Sequence, residues 1–213
     1  MTEPKFTSRA DEVFERLESD ILTGVYKRGD VITENELSSA LNVSRTPIRE
    51  AIRRLEQENL IKEISKGHEV VGITFDDIMD IYDLRLLIEG KAVRLCVERI
   101  TDEELNEMRE VIDLQEFYTI KSVADKIKTT DSRFHELIYK CTGSSIYNSI
   151  LSSLHRKIQL CRKVSVSDSG RAELAVKEHR EIFSAIENCN ADLAEKLMTN
   201  HVINAKNNIK RLK

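Results

Sequence analysis

The C-terminal two thirds of this sequence contain four side chains of the types that ligate divalent metals, all on predicted helices. Asp131 and His135 are four residues apart, so their side chains lie side by side on one helix. Ile127, Phe134 and Ile138 surround this pair, which places it on or beside a buried helix face. His179 and His201 fall within later apolar stripes, so all four groups are expected to point inward. One carboxylate and three imidazoles suit a borderline ion such as zinc, nickel or manganese. Unrelated core histidines are the alternative, and spacing alone leaves both interpretations open.

The other two histidines are not assigned to this cluster. His68 lies in a predicted hairpin tip, and His155 lies outside the apolar stripes that carry the other three.

A row of arginines near the N-terminus forms a second candidate binding site. Arg45, Arg49 and Arg53 are four residues apart and share one exposed helix face. The opposite face has the spacing of a buried stripe, and Ser44 is a suitable N-cap for this helix. The stripe consists of Ile48, Ala51, Ile52 and Leu55.

The elements around this helix are those of a winged helix-turn-helix. Thr33 and Glu36 predict a capping box for a preceding helix, and Asn42-Val43 predicts the turn between the two helices. Apolar pairs flank Lys66-Gly67-His68, which predicts a hairpin as the wing. The alternative is a generic two-helix element with a solvated arginine face. Because the arginines, the turn and the hairpin occur in the expected order, we favour a DNA-binding unit.

Composition limits the alternatives. The 213 residues carry a net charge of −4, and residues 1–73 hold 11 Lys+Arg against 14 Asp+Glu, so neither half is basic. DNA affinity must therefore come from the patch at 44–54, which holds four arginines and one glutamate. There is no signal peptide, no apolar run long enough for a membrane span and no CxxC pair. We expect a cytoplasmic protein without membrane association, with four reduced cysteines in its core.

The helical patterns define the expected architecture. A first amphipathic helix precedes the helix-turn-helix, and six more helices follow the wing, with no strand signal among them. We predict a mainly α fold, with a winged helix-turn-helix over 1–73 and an all-α antiparallel six-helix bundle over 74–213. The six segments lie near 75–99, 102–118, 121–141, 144–164, 170–188 and 191–211.

The segment VSRTPIREAIRRLEQENLI, followed by KGHEV, resembles the DNA-binding domain of GntR-family transcription regulators. The resemblance implies that Arg45 and Arg49 contact bases or phosphates near the major groove. It implies that Thr46 touches a phosphate and that Gly67 approaches the minor groove. The family often has arginine where this chain has Asn35, which suggests a different operator.

The segments DLRLLIEGKAV, DSRFHELI, EHREIFSAIE and LMTNHV resemble the FCD effector domain of the FadR branch of that family. Six helices suit the VanR-like subgroup. The resemblance implies that a metal anchors a small carboxylate effector, and it favours pocket positions for Arg85 and Arg162. Without it, Arg85 would be a surface partner of Glu89, and Arg162 a helix-end residue. The implied metal ligands are Asp131, His135, His179 and His201.

Together these features predict a metabolite-responsive transcription regulator rather than an enzyme. We expect a homodimer that binds double-stranded operator DNA and responds to a small organic acid. Two alternatives remain: a helical-bundle metalloenzyme, and a constitutive DNA-binding protein whose bundle only dimerises. No general base is evident beside the predicted ligands, which argues against the enzyme.

Overall fold

A computed structural model describes residues 8–165 and 169–211, without the side chains of 162–165 and 169. The chain divides into two compact units. The first consists of Met1–Phe75 with Leu160–Val164, and the second of Asp76–Gln159 with Ser165–Lys213.

The first unit is a three-helix domain with a small antiparallel sheet. Its strands lie in the order β1-β3-β2, and β2 and β3 form the wing hairpin. The elements are α1 (Arg9–Leu22), β1 (Val31–Ile32), α2 (Glu34–Leu41), α3 (Arg45–Gln57), β2 (Ile61–Ile64) and β3 (Gly67–Val70).

Local sequence signals explain where these helices begin and end. Thr33 and Glu36 form the predicted capping box of α2, and Asn42 ends that helix in the left-handed conformation at φ 51°. Ser44 occupies the N-cap of α3, but its side chain makes no capping hydrogen bond. The predicted stripe of α3 is fully buried and packs against the apolar face of α1. The two-residue strand β1 was not predicted, because two residues carry no periodicity.

The second unit contains six helices in the part of the chain that the structure describes. α5 packs against α6 and α8, and α8 packs against α9. The prediction of a winged helix-turn-helix followed by an all-α bundle is confirmed. The helices are α4 (Phe75–Arg99), α5 (Asp102–Ile120), α6 (Ala124–Cys141), α7 (Ser145–Ser165), α8 (Ser169–Glu187) and α9 (Ala191–Arg211).

Two expectations differ from the structure. α6 begins at Ala124 rather than 121, because Ser122 adopts φ 55° and breaks the helical path. Of the four cysteines only Cys96 and Cys141 are buried, whereas Cys189 is exposed at a turn. None of the described helices is long and apolar enough to cross a lipid bilayer.

Candidate metal centre and DNA-binding face

The outer face of α3 carries the predicted DNA-binding side chains. Arg45, Thr46, Arg49 and Arg53 are all exposed, because the apolar stripe on the opposite side fixes the orientation of the helix. Arg49 Nε donates to Glu34 Oε2 at 2.8 Å, so one of the three arginines already has an acidic partner on α2. The face therefore presents a cationic row to solvent, with one member held in place.

The fourth arginine of this patch has a different role. Arg54 points away from the row, and its Nη1 donates to Asp11 Oδ1 at 2.6 Å. Its guanidinium carbon also lies 3.9 Å from the centroid of the Phe14 ring. Arg54 thus joins α3 to α1 and is not part of the DNA-binding face.

The wing glycine is required by packing within the first unit. Gly67 adopts φ 132°, and a Cβ added there would lie 2.7 Å from the carbonyl oxygen of Ile32. The same atom would lie 3.1 Å from Thr33 Cγ2. Since β1 pairs with β3 across this point, the close approach of the two backbones alone explains a glycine at this position.

Three imidazoles converge in the second unit. His135 on α6, His179 on α8 and His201 on α9 are at most 4% exposed, and one nitrogen from each lies within 4.8 Å of the others. The rings of His179 and His201 have centroids 4.6 Å apart, and their Nε2 atoms are 3.4 Å apart. Packing of these helices thus brings together residues that are up to 66 positions apart in the sequence.

Hydrogen bonds at the opposite ring nitrogens fix two of the tautomers. His179 Nδ1 donates to Gln115 Oε1 at 2.9 Å, and His201 Nδ1 donates to Glu178 Oε2 at 2.7 Å. Burial acts to raise the pKa of Glu178, but hydrogen bonds from His201 and Arg171 lower it to about 2, so this acceptor is ionised. These bonds direct the two Nε2 atoms toward each other, and when both rings are neutral their Nε2 lone pairs face each other.

This arrangement fits a divalent metal. Two lone pairs 3.4 Å apart repel each other unless a cation lies between them. Nitrogens bound at about 2.0–2.1 Å to a tetrahedral zinc lie about 3.3–3.4 Å apart, which is the separation found here. Burial lowers the pKa of His179 to about 3 and that of His135 well below its ordinary value, so both are neutral, as metal ligands must be.

Asp131, the fourth predicted ligand, lies at the edge of the cluster. Its Oδ1 is 3.9 Å from His179 Nε2, while its Oδ2 accepts a hydrogen bond of 2.6 Å from Gln159. The carboxylate is thus close to the imidazoles but falls outside the tight group of three.

His155 is buried beside the cluster, contrary to its expected position outside the apolar stripes, although it is not one of the three imidazoles whose nitrogens converge. This residue of α7 is 5% exposed, and its ring centroid lies 4.6 Å from that of His135. The sequence does contain the signal, because Leu151, His155 and Ile158 follow an i, i+4, i+7 stripe that the structure buries. Gln159, one turn after His155, links this helix to Asp131.

The predicted effector residue Arg85 is buried beside His135. Its Nε donates to Glu89 Oε1 at 2.6 Å, and Tyr139 Oη donates to the same oxygen at 2.6 Å. Glu89 Oε2 lies 3.9 Å from His135 Nδ1. The pair is therefore not on the surface, and an internal carboxylate already neutralises the arginine. The side chain of Arg162 lies outside the described residues.

Gln115 and Glu178 support the imidazoles, and sequence reasoning did not assign them. Gln115 extends the buried stripe of α5, where a polar side chain one turn after Val111 and Ile112 needs a buried partner. Glu178 directly precedes His179 but reaches His201 instead, a contact that only the packing of α8 against α9 creates.

Comparison with known proteins agrees with this architecture. The family model for bacterial regulatory proteins of the gntR family matches residues 9–67, and the model for the FCD domain matches residues 80–204. The E. coli protein McbR/YncC has a similar structure, with a TM-score of 0.79 and 19% identity over 97% of this chain and 99% of its own.

Two relatives align over most of their lengths. The HTH-type transcriptional regulator YdhC of Bacillus subtilis (strain 168) is 29% identical over 192 residues, which is 89% of this chain and 86% of that protein. The gluconate operon transcriptional repressor of Bacillus licheniformis is 27% identical over 89% of this chain and 81% of its own. The gntR model and both relatives are named as regulators, so the comparisons support a transcription regulator over the metalloenzyme alternative. The chain belongs to the GntR family of DNA-binding transcription regulators and carries an FCD domain.

Proposed function

We propose that this regulator binds operator DNA as a homodimer and that a metal-anchored small carboxylate controls the binding. Residues 1–73 act as the DNA reader and residues 74–213 as the sensor and dimerisation domain. The observation that carries the proposal is the pair of buried imidazole Nε2 atoms, 3.4 Å apart, within an FCD domain. We assign the chain to the FadR branch and its VanR-like subgroup on the six helices of the second unit.

DNA contact is assigned to the exposed face of α3. Arg45, Arg49 and Arg53 supply cationic donors for phosphates and base edges, and Thr46 supplies a hydroxyl in the first turn of the helix. Gly67 begins β3 directly after the turn at residues 65–66, rather than lying at the predicted hairpin tip, and it is assigned to the adjacent minor groove. Because a single winged helix buries too little surface for tight specific binding, we propose that two copies read a palindrome.

The metal site is assigned to Asp131, His135, His179 and His201. When bound, a divalent ion would act as a Lewis acid that attracts a carboxylate oxygen. The chain supplies neutral imidazoles, and Gln115 and Glu178 hold two of them in the tautomer that directs Nε2 toward the site. Zinc, nickel and manganese all suit this mixture of nitrogen and oxygen donors.

A small organic acid is the proposed effector. A cationic centre in a largely apolar bundle favours an anion, and Arg85 and Arg162 are assigned to its binding. One relative is named as the repressor of a gluconate operon, which supports an organic acid as the signal. Glu89 already accepts a hydrogen bond from Arg85, so an acid that binds Arg85 must share the guanidinium with Glu89.

We assign control to α4. This helix begins at Phe75, five residues after β3 ends at Val70, and it carries Arg85 toward His135. A ligand that binds one orientation of α4 more tightly would change the spacing of the two recognition helices. Such differential binding is necessary, since a ligand with equal affinity for both arrangements cannot alter DNA affinity.

The test combines metal analysis with operator binding. Binding sites are selected from random DNA with tag-free protein, and affinity is then measured with citrate, lactate, gluconate or acetate present. We expect one metal per chain and a change in operator affinity with at least one acid, which His179→Ala should abolish. Operator binding that no acid changes would instead support a constitutive DNA-binding protein. Acids acting equally on the variant would remove the metal as anchor.

A further inference from the structure

Arg171, in the first turn of α8, is a buried arginine with unused hydrogen-bond donors. The residue is 9% exposed, and its Nη2 donates to Glu178 Oε2 at 2.7 Å. Its Nε and Nη1 have no hydrogen-bond partner among the residues that the structure describes. Buried donors of a charged group are unfavourable without an acceptor, so these nitrogens indicate a missing partner.

The guanidinium lies beside the imidazole cluster. Glu178 Oε2 accepts from both Arg171 and His201, so a single carboxylate connects the arginine to a predicted metal ligand. Burial is the main cause of the low pKa of His179, and the positive charge of Arg171 contributes to it. Arg171 therefore borders the cluster on the side of α8, whereas Arg85 borders it on the side of α4.

The two arginines differ in how their charge is compensated. Arg85 has its own carboxylate, because Glu89 lies four residues along the same helix and bonds to it at 2.6 Å. Arg171 shares its carboxylate, since Glu178 also accepts from His201 and, through Oε1, from Asn204 at 2.8 Å. An incoming anion would thus compete with Glu89 at Arg85 but could use unoccupied donors at Arg171.

Other buried polar atoms near the cluster also lack partners. Among the described residues these include Gln115 Nε2 and Tyr82 Oη, both completely or almost completely buried. Gln115 contacts His179 through its Oε1, and the ring of Tyr82 lies 5.4 Å from the guanidinium carbon of Arg85. Unused donors around a cationic centre call for a ligand rich in acceptor oxygens.

We propose that Arg171 binds an anionic group of the effector through Nε and Nη1, so that the acid lies at the edge of the imidazole cluster beside Glu178. This inference rests on the proposed function and adds a residue that the family resemblance did not supply. It favours a carboxylic acid with at least two oxygen-bearing groups, one near the imidazoles and one on Arg171.

The test measures acid binding in zinc-loaded protein by calorimetry, with acetate, lactate, gluconate, citrate and inorganic phosphate as probes. Arg171→Lys keeps the charge and the ion pair with Glu178 but loses the planar set of donors. We expect it to bind the best acid at least tenfold more weakly, because bonds to a charged donor are strong, while zinc affinity changes less than threefold. Arg180→Lys is the matched control, since the Nε and Nη2 of that arginine of α8 donate to Asp113 and Glu116.

The outcomes separate the two proposals. If acids bind the wild type and Arg171→Lys equally, the role of Arg171 is wrong while the effector proposal stands. Equal losses of zinc and acid would show that Arg171 acts only through Glu178, and binding of phosphate alone would contradict a carboxylate effector. Absence of binding by every probe would overturn both proposals. In the wild type, the side-chain Nε–H signal of Arg171 in a nitrogen-correlated NMR spectrum should shift on adding the acid, whether or not the variant folds.

Discussion

Removing the carboxylate of Glu178 should weaken metal binding without changing any predicted ligand. This side chain accepts from His201 Nδ1 at 2.7 Å, from Arg171 at 2.7 Å and from Asn204 at 2.8 Å. Without it, His201 no longer has the partner that keeps its Nε2 lone pair directed at His179. Loss of such an orienting partner typically lowers metal affinity by about 10–100-fold, which is about 1.4–2.7 kcal/mol.

The size of the loss should depend on the substitution. Glu178→Gln keeps one amide oxygen that can accept from His201, so we expect about tenfold. Glu178→Ala leaves all three donors without an acceptor and should approach a hundredfold. Competition for zinc against a chromophoric chelator gives the affinity directly. Glu181→Gln, an exposed residue of the same helix, removes the same charge and controls for long-range electrostatics. Equal zinc affinities in Glu178→Gln and Glu181→Gln would refute the tautomer argument.

Three further predictions concern the wing, the recognition helix and acid stability. Gly67→Ala should destabilise the first unit by about 2–4 kcal/mol through contact with the Ile32 carbonyl. Gly72→Ala, which has positive φ but no atom within 4 Å, should cost only about 1–2 kcal/mol, and hydrogen exchange of the β1–β3 amides distinguishes the two. Arg49→Ala should weaken operator binding by about 1–3 kcal/mol, whereas Glu34→Gln, which releases Arg49, should tighten it by no more than about fivefold in an anisotropy titration. In chelator-treated protein above about pH 6.5, His179 is neutral in both the folded and the unfolded chain, so it does not reduce the free energy of unfolding. Below that pH only the unfolded chain binds the proton, so the free energy of unfolding should fall by up to about 1.4 kcal/mol per pH unit as the pH drops toward 3. Urea unfolding across this pH range measures the slope.

The sequence predicted the elements well because caps and stripes are local. The capping box of α2 and the buried stripe of α3 lie where their residues predict, and the six later helices begin within three residues of expectation. The residues around the imidazoles were harder to predict from the sequence. Glu178 reaches a histidine on the next helix, and Arg171 is buried only by tertiary packing, so no spacing rule identifies either role. His155 was placed outside the apolar stripes, although it lies between Leu151 and Ile158 at helical spacing and all three are buried.

The short strand β1 has a consequence for building hybrid regulators. Gly29 and Asp30, before β1, exchange backbone hydrogen bonds with Val70, and the amides of Val71 and Gly72 both donate to the carbonyl of Leu60. A DNA-reading cassette cut before Val70 would lose all of these bonds, including those that close its own sheet. The useful junction for swapping sensors is therefore the short stretch between Gly72 and the start of α4 at Phe75. Chimeras joined there should keep this small sheet closed, and those joined at the wing turn should not.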